Sequence, residues 1–186
     1  MPGNINYDAS VASKYDKLRS WEFPVPKRLV QIAKINASSR VLELACGTGN
    51  LSVAIQTICL CSCVGVDLSY AMLRMAVDKI SEAAFIRANV IEMPFLSRVF
   101  DCVVGSFFIH HVPLDQRLRV IEESYRSISR GHLIIVTVSH PQIEASPIGR
   151  FFPEVIDIDK SRFPQITQIC EWFQSSGFVR NRSETV

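Results

Sequence analysis

Val41-Leu42-Glu43-Leu44-Ala45-Cys46-Gly47-Thr48-Gly49-Asn50-Leu51 reads as a buried strand, a small-residue turn and the start of a helix. Val41, Leu42 and Leu44 form the apolar run expected of a parallel strand covered on both faces. Glu43 interrupts that run near the strand's carboxyl end, where open α/β sheets bind ligands. Gly47 and Gly49 admit positive φ and let a ligand approach the backbone closely. A helix beginning near Asn50 leaves unpaired N–H groups facing the crevice. The stretch predicts a nucleoside-type ligand held at this turn.

The flanking sequence predicts the sheet that carries the turn. Strands are expected at Arg40–Ala45, Cys61–Asp67, Ala84–Arg87, Asp101–Ser106 and Leu133–Val138. Helices alternate with them, at about Asn50–Ile58, at Ser69–Ile80 with Ser69 as N-cap, and at Leu114–Ser129 with Gly131 as its stop. This alternation implies an α/β fold: a Rossmann-like, doubly wound, mostly parallel sheet with helices on both faces and right-handed crossovers.

One domain is expected over 1–186, in four parts. Residues 1–36 form a helical arm, with Tyr7, Val11, Tyr15 and Leu18 at helical spacing and a second helix from about Pro26 to Ile35. Residues 37–138 form the cofactor-binding core. Residues 139–164 carry four prolines and read as a long connection shaping a substrate pocket. Residues 165–186 read as a last helix, Gln165–Ser176, stopped by Gly177, with Phe178-Val179 beginning another strand.

Composition narrows the function classes. With 48% hydrophobic and 20% charged residues, the chain is globular rather than disordered. A net charge of +2 argues against a dedicated nucleic-acid surface. The apolar runs are too short to span a membrane, and Met1–Ser10 is polar, so a cytoplasmic protein is expected. Six cysteines fall at 46, 59, 61, 63, 102 and 170. Cys59, Cys61 and Cys63 would share one face of a strand, but no downstream Cys/His pair completes a metal set, so reduced buried thiols and no metal are expected.

Two ligand classes use a glycine turn after the first strand. Dinucleotide enzymes require G-x-G-x-x-G, whose third glycine lets the helix pack closely beneath a pyrophosphate. Here the third position is Ser52, and no Tyr-x-x-x-Lys pair stands downstream. S-adenosylmethionine, which carries no phosphate, needs room at the turn, an acid for the ribose and an apolar slot for adenine. Asp67 ends an apolar strand and offers two carboxylate oxygens for the ribose hydroxyls.

The chain resembles the class I S-adenosylmethionine (SAM)-dependent methyltransferases, in particular the small-molecule group called type 11, over roughly residues 7–178. Glu43 to Asn50 matches the family's first motif, with Ala45 where glycine is commoner; Val64 to Ser69 matches the second. Ala88 to Phe95 resembles the third, with Asn89 where aspartate usually accepts from adenine, and Phe100–Ser106 followed by Ile109–Val112 matches the fourth. Tyr125–Leu133 resembles the segment before the fifth strand.

The resemblance implies SAM as cofactor and a small-molecule methyl acceptor as partner. It implies a cofactor set of Glu43, Ala45, Cys46, Gly47, Gly49, Asp67, Leu68, Met72, Asn89, Val90, Ser106 and Tyr15, with Glu43 toward the methionine ammonium. Tyr7 or Tyr15 would close over the cofactor. His110 and His140, after the fourth and fifth strands, are the candidate catalytic bases, and His111 stands beside the first. Phe151, Phe152 and Phe163 would wall the acceptor pocket, and Asp157 and Asp159 would meet a cationic group. The family's sheet ends in two more strands, the last antiparallel, and this last strand is expected to be missing. The uncovered edge then invites self-association. A non-catalytic SAM-binding module is the alternative function.

Overall fold

The computed structural model describes residues 9–18, 24–79, 83–179 and 181–185. Tyr7 and the Trp21–Phe23 break lie outside these residues. Five strands form the sheet: β1 Arg40–Leu44, β2 Ser62–Asp67, β3 Ala84–Arg87, β4 Phe100–Ser106 and β5 Ile128–Val136. Their spatial order is β3-β2-β1-β4-β5 and every pairing is parallel. The chain starts at the centre, steps outward to β3, then crosses back to β4. The reversal between β1 and β4 opens a crevice at the carboxyl ends of the strands.

Helices cover both faces. α1 Ala9–Leu18 and α2 Val25–Ala33 precede the sheet, and α3 Asn50–Cys59, α4 Tyr70–Lys79 and α5 Arg117–Ser127 connect its strands. α6 His140–Glu144, α7 Pro153–Arg162 and α8 Ile166–Ser175 follow β5. Strand alternation divides the core in two. Leu42, Leu44, Val66 and Val103 join Ile121 of α5 on one face, with Trp172 and Phe173 of α8 packed against them. Val41, Cys63, Cys102 and Val104 meet Leu29, Leu51 and Ile55 of α2 and α3 on the other.

Four expectations need correction. Gly131 does not end α5, which stops at Ser127; it lies inside β5. The register slips from Phe100↔Ile128 to Cys102↔His132, and a Cβ on Gly131 would sit 1.5 Å from the Asp101 carbonyl oxygen. This glycine lets a bulged strand pass another backbone closely. Second, residues 139–164 are largely helical. Pro141 and Pro153 occupy the first turns of α6 and α7, where a missing N–H costs nothing, and Pro147 opens a 3-10 turn.

Third, Phe178 starts no strand. It packs in the core against Tyr125 and Phe173, with ring centroids 5.0 and 5.3 Å away. Fourth, Cys59 is the last residue of α3 and does not share a strand with Cys61 and Cys63. The Cys61 and Cys63 Sγ atoms are 3.7 Å apart, and all six cysteines are free.

Among the described residues, β5 pairs with β4 alone. A cavity of about 510 Å³ runs along this edge between α2 and α8, away from the glycine turn. Residues 181–185 line it, and Glu184 accepts from Arg28 at its rim, at 2.7 Å. Among the described residues, no helix is long and apolar enough to cross a membrane, and no group of three His, Cys, Asp or Glu is placed to hold a metal.

Candidate functional site

The turn after β1 is built from left-handed backbone. Ala45, Gly47 and Gly49 have φ of 50°, 54° and 75°. Gly49 caps the N-terminus of α3, and a Cβ there would lie 2.8 Å from the Phe85 ring and 3.0 Å from Ala76. A Cβ on Gly47 would meet nothing within 4 Å, so the space beside this residue is open. The turn is therefore tight against the protein at Gly49 and open at Gly47. Cys46 is buried, and its N–H donates to the Val66 carbonyl of β2 at 2.9 Å.

Asp67 joins the two strand ends. Its Oδ2 accepts from the Gly47 N–H and its Oδ1 from the Ser69 N–H, both at 2.8 Å. Burial raises its pKa, and the backbone N–H groups of Ser69, Gly47 and Leu68 oppose that rise. A carboxylate accepts about four hydrogen bonds, so both oxygens retain capacity for hydroxyl donors. Leu68 is exposed, while Met72, in the first turn of α4, is buried; Ser69 Oγ accepts from its N–H at 3.3 Å, the N-cap bond predicted.

Glu43 is 4% exposed, and its partner is one that sequence reading missed. Its Oε2 accepts from Ser52 twice, from the N–H at 2.9 Å and from the hydroxyl at 2.5 Å. Burial pushes its pKa up to about 7, with the nearby Asp67 charge adding to the rise and Ser52 opposing it. Ser52, the residue that breaks the dinucleotide pattern, thus anchors the acid of the turn.

The loop after β3 is held from behind. Asn89 is exposed, and its Oδ1 accepts from the Ile91 N–H at 3.3 Å; Val90 is buried. Glu123 of α5, also buried, accepts from the Met93 N–H at 2.8 Å and from Arg126. Arg126 in turn donates to the carbonyls of Phe95 and Met93 at 2.7 and 3.3 Å. At the end of β4, the buried Ser106 Oγ has no hydrogen-bond partner among the described residues. An orphan hydroxyl in a crevice wall suits a polar ligand. The next residue, Phe107, has φ of 51°, so strained backbone marks the ends of both β1 and β4.

The two candidate histidines converge on one residue, Phe163. His110 stacks on its ring with centroids 4.0 Å apart and planes 21° apart. His140 Nε2 lies 2.9 Å from its carbonyl oxygen. A carbonyl only accepts, so Nε2 is the donor and Nδ1 is the acceptor nitrogen of the neutral ring. Buried Arg117 completes the cluster by donating to the Val112 carbonyl at 3.0 Å and the Arg162 carbonyl at 2.8 Å. Phe151 and Phe152 are exposed on the connection before α7, apart from this cluster.

The geometry suits SAM: a turn open at Gly47, an acid, Asp67, bonded to that turn, a buried acid, Glu43, in the strand before it and an orphan hydroxyl, Ser106, at the adjoining end of β4. Residues 41–131 match the family model of the methyltransferase domain. The chain is 26% identical over 179 residues to a demethylmenaquinone methyltransferase of Listeria welshimeri, covering 82% of this chain and 75% of that one. It is 26% identical over 166 residues to a ubiquinone/menaquinone biosynthesis C-methyltransferase of Proteus mirabilis, covering 77% and 61%. A methyltransferase structure assigned to an antibiotic biosynthesis pathway of Anabaena variabilis superposes with a TM-score of 0.73 at 18% identity, covering 82% and 60%; that likeness concerns the fold. The chain spans less than two thirds of the length of the last two proteins. The matched stretch is a methyltransferase domain, the fold is the one such neighbours share, and SAM is the cofactor these imply.

Proposed function

We propose that this domain transfers the methyl group of SAM to a small, apolar, ring-bearing acceptor of the quinol kind. The observation that carries the cofactor half is Asp67, fixed by Gly47 and Ser69 N–H groups where ribose hydroxyls would meet it. Glu43, ionised, faces the methionine ammonium. Ala45, Cys46 and Gly47 supply turn backbone, and Gly49 sets its close packing. Leu68, Met72 and Val90 border the adenine slot, Asn89 accepts from its amino group and Ser106 takes a polar edge. Tyr15, half-buried in α1, stands on the arm side.

When bound, SAM supplies an electrophilic methyl on a sulfonium that leaves as a neutral thioether. The protein's task is to orient, desolvate and, for a hydroxyl or ring carbon, remove a proton. His140 Nδ1 is the better-defined base because its other nitrogen is held by Phe163. His110, stacked on the same ring, borders a flat apolar acceptor. The quinol class is supported by the relatives' names and by this aromatic wall. The engagement of both histidines with Phe163 favours one second reading, a SAM-binding module without transfer.

Calorimetry with SAM, S-adenosylhomocysteine and NAD, followed by labelled methyl transfer to demethylmenaquinol, tests these readings. Binding of the first two ligands and label in the quinone are expected. NAD binding in place of SAM defeats the cofactor assignment. SAM binding without transfer to any quinol favours the second reading.

A further inference from the structure

Asp16, in the last turns of α1, is bonded through both of its carboxylate oxygens. Its Oδ1 accepts from the Thr48 hydroxyl at 2.6 Å and the Asn50 amide at 2.9 Å. Its Oδ2 pairs with Lys79 Nζ at 2.6 Å, and the same Nζ donates to Asn50 Oδ1 at 2.5 Å. Thr48 and Asn50 flank Gly49, and Lys79 closes the helix whose Ala76 abuts Gly49. One carboxylate therefore ties α1, the cofactor turn and α4 into a single closed ring. Burial raises the pKa of Asp16, but bonds from Lys79, Thr48 and Asn50 outweigh it, so the group stays ionised at neutral pH.

Such a ring is more than a surface ion pair. The donors to Oδ1 are Thr48 of the turn and Asn50 at the start of α3, so α1 can leave only if both lose a partner. Charged hydrogen bonds of this kind resist loss more than exposed pairs do. We infer that Asp16 is a positioning residue that latches α1 over the SAM turn and thereby slows cofactor release. This rests on the placing of SAM at Ala45–Gly49 proposed above.

The test uses the whole chain and S-adenosylhomocysteine. Asp16→Ala removes every bond; Asp16→Asn keeps an oxygen for Thr48 and Asn50 but loses the charge facing Lys79; Lys79→Met opens the ring from the other side. The Asp16→Ala release rate and the KM for SAM are expected to rise about tenfold, with Asp16→Asn and Lys79→Met intermediate. kcat at saturating SAM should stay near the wild-type value. Hydrogen exchange of residues 9–18 should accelerate in all three variants with no ligand present. A purely architectural Asp16 would lower the melting temperature and leave release in folded Asp16→Asn unchanged; that result overturns the latch. Unchanged exchange of 9–18 overturns it as well. If the wild-type chain fails to bind S-adenosylhomocysteine, the placing of SAM falls, while the ligand-free exchange still decides whether Asp16 holds α1.

Discussion

On the β1–β2 side of the crevice, Glu43 and Asp67 accept from backbone N–H groups 9 and 20 residues away in sequence. On the β4–β5 side, Arg117 and His140 reach carbonyls 45 and 23 residues away, at Arg162 and Phe163. The first side uses acids to gather the donors of tight turns and a helix start. The second uses cationic or ring N–H donors to gather the last carbonyls of a helix. Anions at a helix N-terminus and donors at a C-terminus are both favourable, so each side uses one end of the helix dipole. The first side, the proposed cofactor side, joins groups 9 and 20 residues apart, and the second, the proposed acceptor side, depends on the end of α7 meeting the start of α5 and His140. The two sides should therefore fail separately.

The largest expected effect is on the acceptor side. Gly131→Ala places a methyl inside the Asp101 carbonyl, so the β4–β5 bulge must re-register. A loss of about 3 kcal/mol or more is expected in chemical denaturation. Hydrogen exchange should rise first in β5, α7 and α8. Equal loosening of the glycine turn would contradict the separation. Asp67→Ala is the matching break on the cofactor side. Losing the carboxylate that spans Gly47 and Ser69 should weaken S-adenosylhomocysteine about a hundredfold in calorimetry. Exchange in 153–163 should be unchanged.

Arg117→Met cuts the second side alone. It removes a buried guanidinium from the Val112 and Arg162 carbonyls while keeping the aliphatic stem. About 2 kcal/mol of stability should be lost and α7 should exchange faster. Cofactor affinity should hold; a parallel fall in affinity would mean that the sides communicate.

What the sequence made legible follows the same division. Each apolar run ending in an acid or a small polar residue marked a strand. The glycine turn marked the centre of the sheet, because left-handed backbone and close packing demand particular residues. The partner of Glu43 was hidden because a serine donating to an acid nine residues back leaves no periodic trace. Asp16 and Arg117 were hidden for the same reason, since their partners are main-chain or distant groups, and the i,i+3 pair Glu123–Arg126 gave no sign of its reach to the backbone of Met93 and Phe95. Gly131 was misread because a glycine after a helix and a glycine in a bulge look alike until the opposing strand is known. The prolines of 139–164 were misread because proline both ends helices and begins them.

Glu43 sharpens the comparison through pH. In the free protein burial holds its carboxyl up to about 7. Only the ionised form pairs with an ammonium, so SAM affinity should climb as pH rises through that value. Between about pH 6 and about pH 8 the gain should be about tenfold. Glu43→Gln should bind more weakly at the upper end and show no such slope. Asp16 stays ionised across this range and cannot mimic it. A slope that survives in Glu43→Gln would assign the titration elsewhere.

The smallest effect concerns Ala45, a non-glycine residue at φ 50° directly after β1. Left-handed backbone costs an L-residue about 1 kcal/mol, and glycine returns part of that gain through a more flexible unfolded chain. Ala45→Gly should therefore stabilise by about 0.5 kcal/mol, read as a small rise in melting temperature. Its effect on cofactor affinity separates two uses of the strain. If the strained alanine only burdens the fold, affinity is unchanged. If it stiffens the turn that Asp67 and Asp16 grip from either side, glycine should raise stability and lower affinity together. Because Gly47 and Gly49 already supply the turn's freedom, stiffness at position 45 is the property the turn otherwise lacks, and opposite signs in the two measurements are the expected outcome.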